Sequence, residues 1–332
     1  MSGDEGEMLK ARLPGPVRER LQSLRVKDGR ATAVLDASGL AAGQREALEA
    51  AAREALGGEA AISEVRVAMT AERDGSNPAA EGASPPRIIA VGSGKGGVGK
   101  STVSTNLAVA LIKAGYKVGL VDADIYGPSQ SRLLGTEGKR PVARDKRLIP
   151  VESEWDVPVL SMAHLAEPGQ AIAWRGPMAS NALVQMLEGD WTGVDVLVVD
   201  LPPGTGDIQL TMLQRFKPDG AVIVSTPQDL ALLDATRAMG LFDKAGVPVI
   251  GLVENMAGYV CPHCGETSDP FGIGGAQSAA DERDCRFLGR IPLDITIRRD
   301  SDAGIPPAAG QGPQAQAFAA IAAGVTEWLE KP

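Results

Sequence analysis

The chain has 332 residues, 44% of them hydrophobic, enough to bury the core of one large domain and of a smaller one. Its net charge of −9 and pI near 5.0 argue against a nucleic-acid surface, because neutralising phosphates takes clustered Lys and Arg, and no basic stripe with interleaved aromatics occurs. No run approaches the ~18 apolar residues of a membrane span, and the start of the chain is acidic and polar. Three cysteines cannot build a disulfide framework, so the reading is a cytoplasmic chain in which a close Cys pair serves metal or redox chemistry.

Residues 1–71 read as a small α/β domain, with a helix over 13–24, a strand over 31–35, an alanine-rich helix over 44–56 and a second strand over 62–69. Residues 72–86 contain Gly75, Pro78, Gly82, Pro85 and Pro86 and almost no large apolar side chain, which marks a flexible linker. In residues 87–332 strand-like runs alternate with helical patterns. The runs 87–91, 117–121, 194–199, 221–224 and 247–253 are apolar almost throughout, as parallel strands covered on both faces require. The expected fold is α/β: a doubly wound, mostly parallel sheet of the P-loop NTPase kind, with ligands at the C-terminal strand ends. A last helix over 315–329 should pack Phe318, Ile321, Val325 and Leu329.

After the first of these strands come Gly94, Lys95, Gly96, Gly97, Val98, Gly99, Lys100, Ser101 and Thr102. Behind them Val103, Leu107, Ala110 and Leu111 recur at helical spacing up to Gly115. This is the phosphate-loop pattern in its required strand–loop–helix setting, where backbone N–H groups and the helix dipole cradle polyphosphate. Lys100 would reach the β and γ phosphates, and the Ser101 hydroxyl would ligate Mg²⁺. Two further strands end in carboxylates, one in Asp122 and Asp124, the other in Asp200, and strand-end carboxylates beside such a loop hold Mg²⁺ and orient the attacking water. Gly204 or Gly206 would let backbone N–H groups sense the γ phosphate. No Asn-Lys-x-Asp guanine signature occurs, which favours ATP over GTP, and Thr226 to Asp229 would line the base pocket.

Cys261-Pro262-His263-Cys264-Gly265 places two thiolates in one tight turn. A closed site wants four ligands, and the chain has only one such pair, so a second copy completes it economically. Thiolates accept Zn²⁺ and iron–sulfur clusters alike, with a thioredoxin-like redox pair as a third option. Cys285 stands alone and reads as a small buried residue.

The second lysine in Lys95-Gly96-Gly97-Val98-Gly99-Lys100-Ser101 resembles the deviant Walker A motif of the MinD/ParA/nitrogenase iron protein class. That resemblance implies that Lys95 crosses a homodimer interface to the partner's nucleotide, that Asp124 orients water with Asp122 nearer the metal, and that Asn255 contacts adenine. Taken with Asp122 to Ser129, Trp174-Arg175-Gly176-Pro177-Met178, Pro202 to Asp207, Thr226 to Asp229, Val253 to Met256 and the two cysteines, the chain resembles the Mrp/ApbC family of P-loop ATPases that carry iron–sulfur clusters. The resemblance implies slow ATP hydrolysis coupled to cluster carriage, with Lys95, Lys100, Asp124 and Asp200 catalytic, and Ser101, Asp122 and Asp200 on Mg²⁺. It also implies a [4Fe-4S] cluster bridging two subunits through Cys261 and Cys264, delivered to apo iron–sulfur proteins in company with cluster scaffold proteins. The N-terminal domain resembles one that precedes the ATPase in many cluster carriers, without their Asp-Pro-Glu motif, and Arg175 belongs to a family segment with no assigned role. The alternative is a MinD/ParA-type positioning ATPase with a structural zinc at its dimer interface. That class would carry a basic amphipathic tail or cationic face, which residues 326–332 do not supply.

Overall fold

A computed structural model describes residues 9–10, 13–27, 30–37, 40, 42–58, 62, 64–70, 84–165 and 176–331. The chain divides into two compact units, Met1–Gly82 and Ala83–Pro332.

The first unit runs α1 (Gly15–Glu19), β1 (Leu21–Lys27), β2 (Arg30–Asp36), α2 (Ala42–Gly57) and β3 (Glu64–Thr70). β1 is antiparallel to β2, and β3 parallel to it. The helix expected over 13–24 is corrected here: it is five residues long, entered through Pro14, and gives way to a strand. Leu24 and Val26 alternate at the strand period, and pairing opposite Ala33 and Ala31 sets them against a core of Leu35, Leu48, Ala52 and Leu56. Burial on a sheet face outweighs the helical preference of Arg18, Glu19 and Arg20 just before it. The linker expected at 72–86 lies, as far as residue 83, outside the described residues.

The second unit opens with β4 (Arg87–Gly92), α3 (Lys100–Lys113), β5 (Val118–Asp122), α4 (Gln130–Leu133) and the hairpin β6 (Val142–Arg144) with β7 (Arg147–Ile149). It continues through β8 (Val159–Ser161), α5 (Met162–Leu165), α6 (Gly176–Leu187), β9 (Val196–Asp200), α7 (Asp207–Arg215), β10 (Gly220–Ser225) and α8 (Asp229–Lys244). β11 (Val249–Glu254), the short hairpin β12 (Tyr259–Val260) with β13 (Thr267–Ser268), α9 (Gly275–Glu282), β14 (Phe287–Arg290), α10 (Ile295–Asp302) and α11 (Pro313–Leu329) complete it. Among the described residues seven strands form one sheet in the order β14-β11-β10-β4-β9-β5-β8, and every pairing in it is parallel.

Continuous hydrophobicity in the strands has the cause expected of it. In β4, Ile89 and Val91 pack with α3 and α11 on one face, while Ala90 packs with α6, α7 and α8 on the other. Phe318 of α11 is fully buried in the first of these layers. Phe318→Ala is expected to lower the unfolding free energy by about 3–5 kcal/mol, read as a shifted urea midpoint at unchanged slope. Among the described residues no helix is long and apolar enough to cross a membrane.

β4 sits at the centre of the sheet, and its neighbour β9 pairs with β5 so that Asp200 lies level with Asp122 and Val91. The register therefore delivers both carboxylates to the strand ends beside the loop that leaves β4.

Candidate nucleotide site and cysteine hairpin

The loop between β4 and α3 is shaped by glycines with different tasks. Gly97 and Gly99 have φ of 80° and 79°, the left-handed region that a Cβ disfavours, and Gly99 is the N-cap of α3. Gly94 is needed for proximity: a Cβ there would lie 2.0 Å from the Asp234 carbonyl carbon and 2.2 Å from its oxygen. The resulting pocket, about 290 Å³, is lined by the loop from Lys95 to Thr102 together with Asp124, Gly127, Ser129 and Pro203. Gly204 donates its N–H to the Ser93 carbonyl at 3.1 Å, which holds the segment after β9 against this loop.

Below the pocket lies a buried polar cluster. Lys100 Nζ is 2.6 Å from Asp200 Oδ1, with the lysine side chain 6% exposed and the aspartate 0%. Ser104 Oγ donates to the same oxygen at 2.8 Å, and Gln130 Nε2 donates to Asp200 Oδ2 at 2.9 Å and to the Ser101 carbonyl at 3.0 Å. The Thr105 hydroxyl donates to Gln130 Oε1. The Lys100 ammonium is thus neutralised by the Asp200 carboxylate.

The two carboxylates after β5 part company. Asp124 is half-buried, lines the pocket and accepts N–H bonds from Tyr126 and Gly127 at 3.0 and 3.2 Å. Asp122 is fully buried and turned inward, where it accepts from Ser129 N and Gln130 N at 3.0 Å and from Ser161 Oγ at 2.7 Å. Burial and the Asp200 carboxylate beside it push Asp122 up to about 7, against the pull of the Gln130 and Ser161 hydrogen bonds. It braces the turn into α4 and does not face the pocket. The Ser161 N–H in turn donates to His164 Nδ1 at 3.3 Å, while His164 Nε2 is 3.0 Å from Thr136 Oγ1. Burial holds this imidazole below its usual pKa.

Lys95 is half-buried and its ammonium donates to Gln228 Oε1 of the same chain at 3.2 Å. Asn255 follows β11; its Nδ2 donates to the Val98 carbonyl at 2.8 Å, from beneath the phosphate loop. Arg175 lies outside the described residues. Gln130, Ser104 and Ser161 are not singled out by sequence. A glutamine opening a short helix or a serine inside one carries no signal until the strands bring carboxylates to it.

Cys261 and Cys264 lie seven and ten residues beyond the end of β11 at Glu254. β12 and β13 pair through Tyr259 with Ser268 and Val260 with Thr267, and Cys261 N donates to the Glu266 carbonyl at 2.9 Å. Inside this frame Gly265, at φ 74°, donates its N–H to the Cys261 carbonyl at 2.8 Å, closing a turn that leaves Cys261 half-buried and Cys264 exposed. Hydrogen bonds from the Cys264 and His263 backbone N–H groups and from the Cys264 side chain draw the Cys261 thiol below its ordinary pKa, as a ligating thiolate requires. Cys285 is only half-buried, packed beside the core, and its burial pushes its thiol up. In reduced, metal-free protein at neutral pH, iodoacetamide is expected to modify Cys261 well ahead of Cys285, as read by peptide mass spectrometry; equal rates would contradict this picture. Among the described residues no group of three or more His, Cys, Asp and Glu side chains is placed to hold a metal ion.

Residues 85–326 match the family described as ParA, the NUBPL iron-transfer P-loop NTPase. An Arabidopsis thaliana protein named as an iron–sulfur protein required for NADH dehydrogenase, mitochondrial, is 52% identical over 221 residues, which are 66% of this chain and 70% of that one. A Deinococcus radiodurans iron–sulfur cluster carrier protein is 49% identical over 239 residues, 71% of this chain and 67% of that one. Among solved structures, a nucleotide-binding protein from Archaeoglobus fulgidus in complex with ADP superposes with a TM-score of 0.59 at 41% identity, covering 66% of this chain and 86% of that one. A glycine loop on the central strand, carboxylates level with it on the neighbouring strand ends and a match over most of the length leave one assignment: this chain belongs to the NUBPL iron-transfer P-loop NTPase family.

Proposed function

We propose that this chain is an ATP-binding and slowly ATP-hydrolysing carrier of iron–sulfur clusters, which holds a [4Fe-4S] cluster between two copies of itself and passes it to apo iron–sulfur proteins. The observation that carries the reading is a phosphate loop and a two-cysteine turn on one polypeptide, the turn incomplete as a metal site among the described residues. The carrier names of relatives at about half identity support it. Cluster iron takes four thiolates, and two copies related by a twofold axis supply Cys261 and Cys264 twice. The setting is the reducing cytoplasm, where cysteines stay available as ligands. Residues 1–71 form a separate small domain, tethered through 72–86.

In this reading the polyphosphate enters the N–H cradle from Gly94 to Thr102 and competes with Asp200 for the Lys100 ammonium, so the buried pair opens as the ligand binds. Ser101, which lines the pocket, and Asp200, released from Lys100, offer the hard oxygen donors that Mg²⁺ takes; that ion, when bound, offsets phosphate charge. Asp124 orients the attacking water, Lys95 exchanges Gln228 for the partner's nucleotide, and Asp122 holds the turn that presents Asp124 and Ser129. Asn255 borders the nucleotide site beneath the loop.

The test is anaerobic reconstitution with iron and sulfide, followed by absorption and Mössbauer spectra of the wild type and of a Cys261→Ala, Cys264→Ala variant. The variant is expected to lose the cluster signals; unchanged signals would overturn the reading.

A further inference from the structure

The segment that carries the thiols is bonded to the phosphate loop at its beginning and at its end packs against Pro227, beside the residue that meets Lys95 of the loop. At its beginning, Asn255 donates from Nδ2 to the Val98 carbonyl at 2.8 Å, and it is 7% exposed. The same amide nitrogen sits where a Cβ on Gly99 would fall, at 2.1 Å, and Met256 Cε would lie 3.8 Å from that Cβ. Asn255 and Met256 therefore bear on Gly99, the residue at which the loop turns into α3. Met256 holds a φ of 59°, a conformation that a non-glycine residue keeps only where its surroundings impose it. From there Ala257 N donates to the Ile291 carbonyl at 2.9 Å, Gly258 accepts from Leu293 N at 2.8 Å, and β12 begins one residue on.

At its end, the segment returns through Gly275. A Cβ there would meet the Pro227 carbonyl oxygen at 2.6 Å, and Pro227 precedes Gln228, whose side chain accepts from Lys95 of the loop. The chain between these two points contains Cys261 and Cys264, and beyond the two bonds to Ile291 and Leu293 its strand pairing is a two-residue hairpin. A displacement of Val98 and Gly99 on filling the cradle has a short route to the thiols, six residues from the buried Asn255 to Cys261.

We infer that Asn255 is the positioning residue through which nucleotide in the phosphate loop sets the disposition of the Cys261–Cys264 turn. This rests on the nucleotide half of the function proposed above and deepens it by assigning the internal link between the two sites. Losing the amide donor while keeping the shape of the side chain should leave the two ends of the protein chemically intact and uncoupled.

The experiment uses the full chain, reduced and metal-free, with iodoacetamide as probe and peptide mass spectrometry to follow Cys261, Cys264 and Cys285 separately, with and without ADP at saturation checked by calorimetry. In the wild type, ADP should change the modification rates of Cys261 and Cys264 by about fivefold, the low end of coupling between distinct sites, and leave Cys285 unmoved. In Asn255→Asp, with ADP bound, that ADP-dependent change should vanish. A loss of fold alone would alter rates with and without ADP alike, so the difference within one variant reads coupling and not stability. If Asn255→Asp does not fold by circular dichroism, the shorter, uncharged Asn255→Ser is read in the same way. A variant that keeps the full ADP response overturns the inference, and so does a wild type that binds ADP with no response at either cysteine. Because no cluster is present, failure of the cluster reading leaves this result standing. A wild type that does not bind ADP removes both.

Discussion

Gly94→Ala is expected to weaken ADP binding by roughly 100-fold or more, although Gly94 does not have a left-handed backbone. The obstacle is contact: the new methyl group would fall 2.0 Å from the Asp234 carbonyl carbon, 2.2 Å from its oxygen and 2.5 Å from Ala235 N. These are backbone atoms within α8, which cannot rotate away as a side-chain terminus would, so the loop or the helix must shift. Overpacking a tight interior costs about 1–3 kcal/mol, and a collision with backbone belongs at the upper end, which as lost affinity is the 100-fold quoted. Neighbouring glycines supply an internal control. Gly97→Ala faces open space and incurs only the left-handed penalty of about 1–2 kcal/mol, and Gly96→Ala meets nothing closer than Pro203 at 3.8 Å. Calorimetric titration with ADP should rank the three in that order, Gly94 worst and Gly96 mildest. A Gly94→Ala protein that binds ADP normally would show that the approach of loop to α8 is dispensable.

Lys100→Met should fail twice, once in chemistry and once in stability. Removing the ammonium takes from the developing charge on the phosphates its closest cation, for which a fall in ATP turnover of roughly 100- to 1000-fold is the ordinary scale. It also strands the Asp200 carboxylate, which is 0% exposed and keeps only the Ser104 and Gln130 donors. Breaking a buried pair from one side costs about 3–5 kcal/mol, whereas removing both charges together is far milder. The double variant Lys100→Met, Asp200→Asn should therefore recover much of the stability lost by Lys100→Met and none of the turnover. A double-mutant cycle in urea, run beside an ATP hydrolysis assay, separates the two effects. Strictly additive stability losses would mean that the pair seen in the structure carries little energy.

Parts of this architecture were readable in the residues alone, for definite reasons. β4, β5, β9, β10 and β11 announced themselves because strands covered on both faces must be apolar throughout, and the glycine loop did so because its chemistry dictates its spacing. β8 and β14, of three and four residues at the sheet edges, offered too short a run to be told from a loop. β1 was hidden inside a stretch rich in arginine and leucine that suits a helix locally, and only pairing with β2 decides it.

The site shows the same division. Asp122 and Asp124 are equivalent on paper, both carboxylates at one strand end. Asp122 is the last residue of β5 and its side chain is turned in among Ser129, Gln130 and Ser161, whereas Asp124 has left the strand and borders the pocket. Asn255 is expected at the base of the nucleotide, and the structure adds that its amide holds the Val98 carbonyl. Neither distinction exists before the backbone closes, because each depends on the direction of one side chain at a strand terminus.

Iron and sulfide analysis combined with sedimentation of the anaerobically reconstituted protein tests the central claim most directly, that the metal site is shared between two copies. The expected result is about four irons and four sulfides on a species of two chains, absent when Cys261 and Cys264 are both alanine. A full cluster travelling with a single chain, or one retained without the two cysteines, would contradict it.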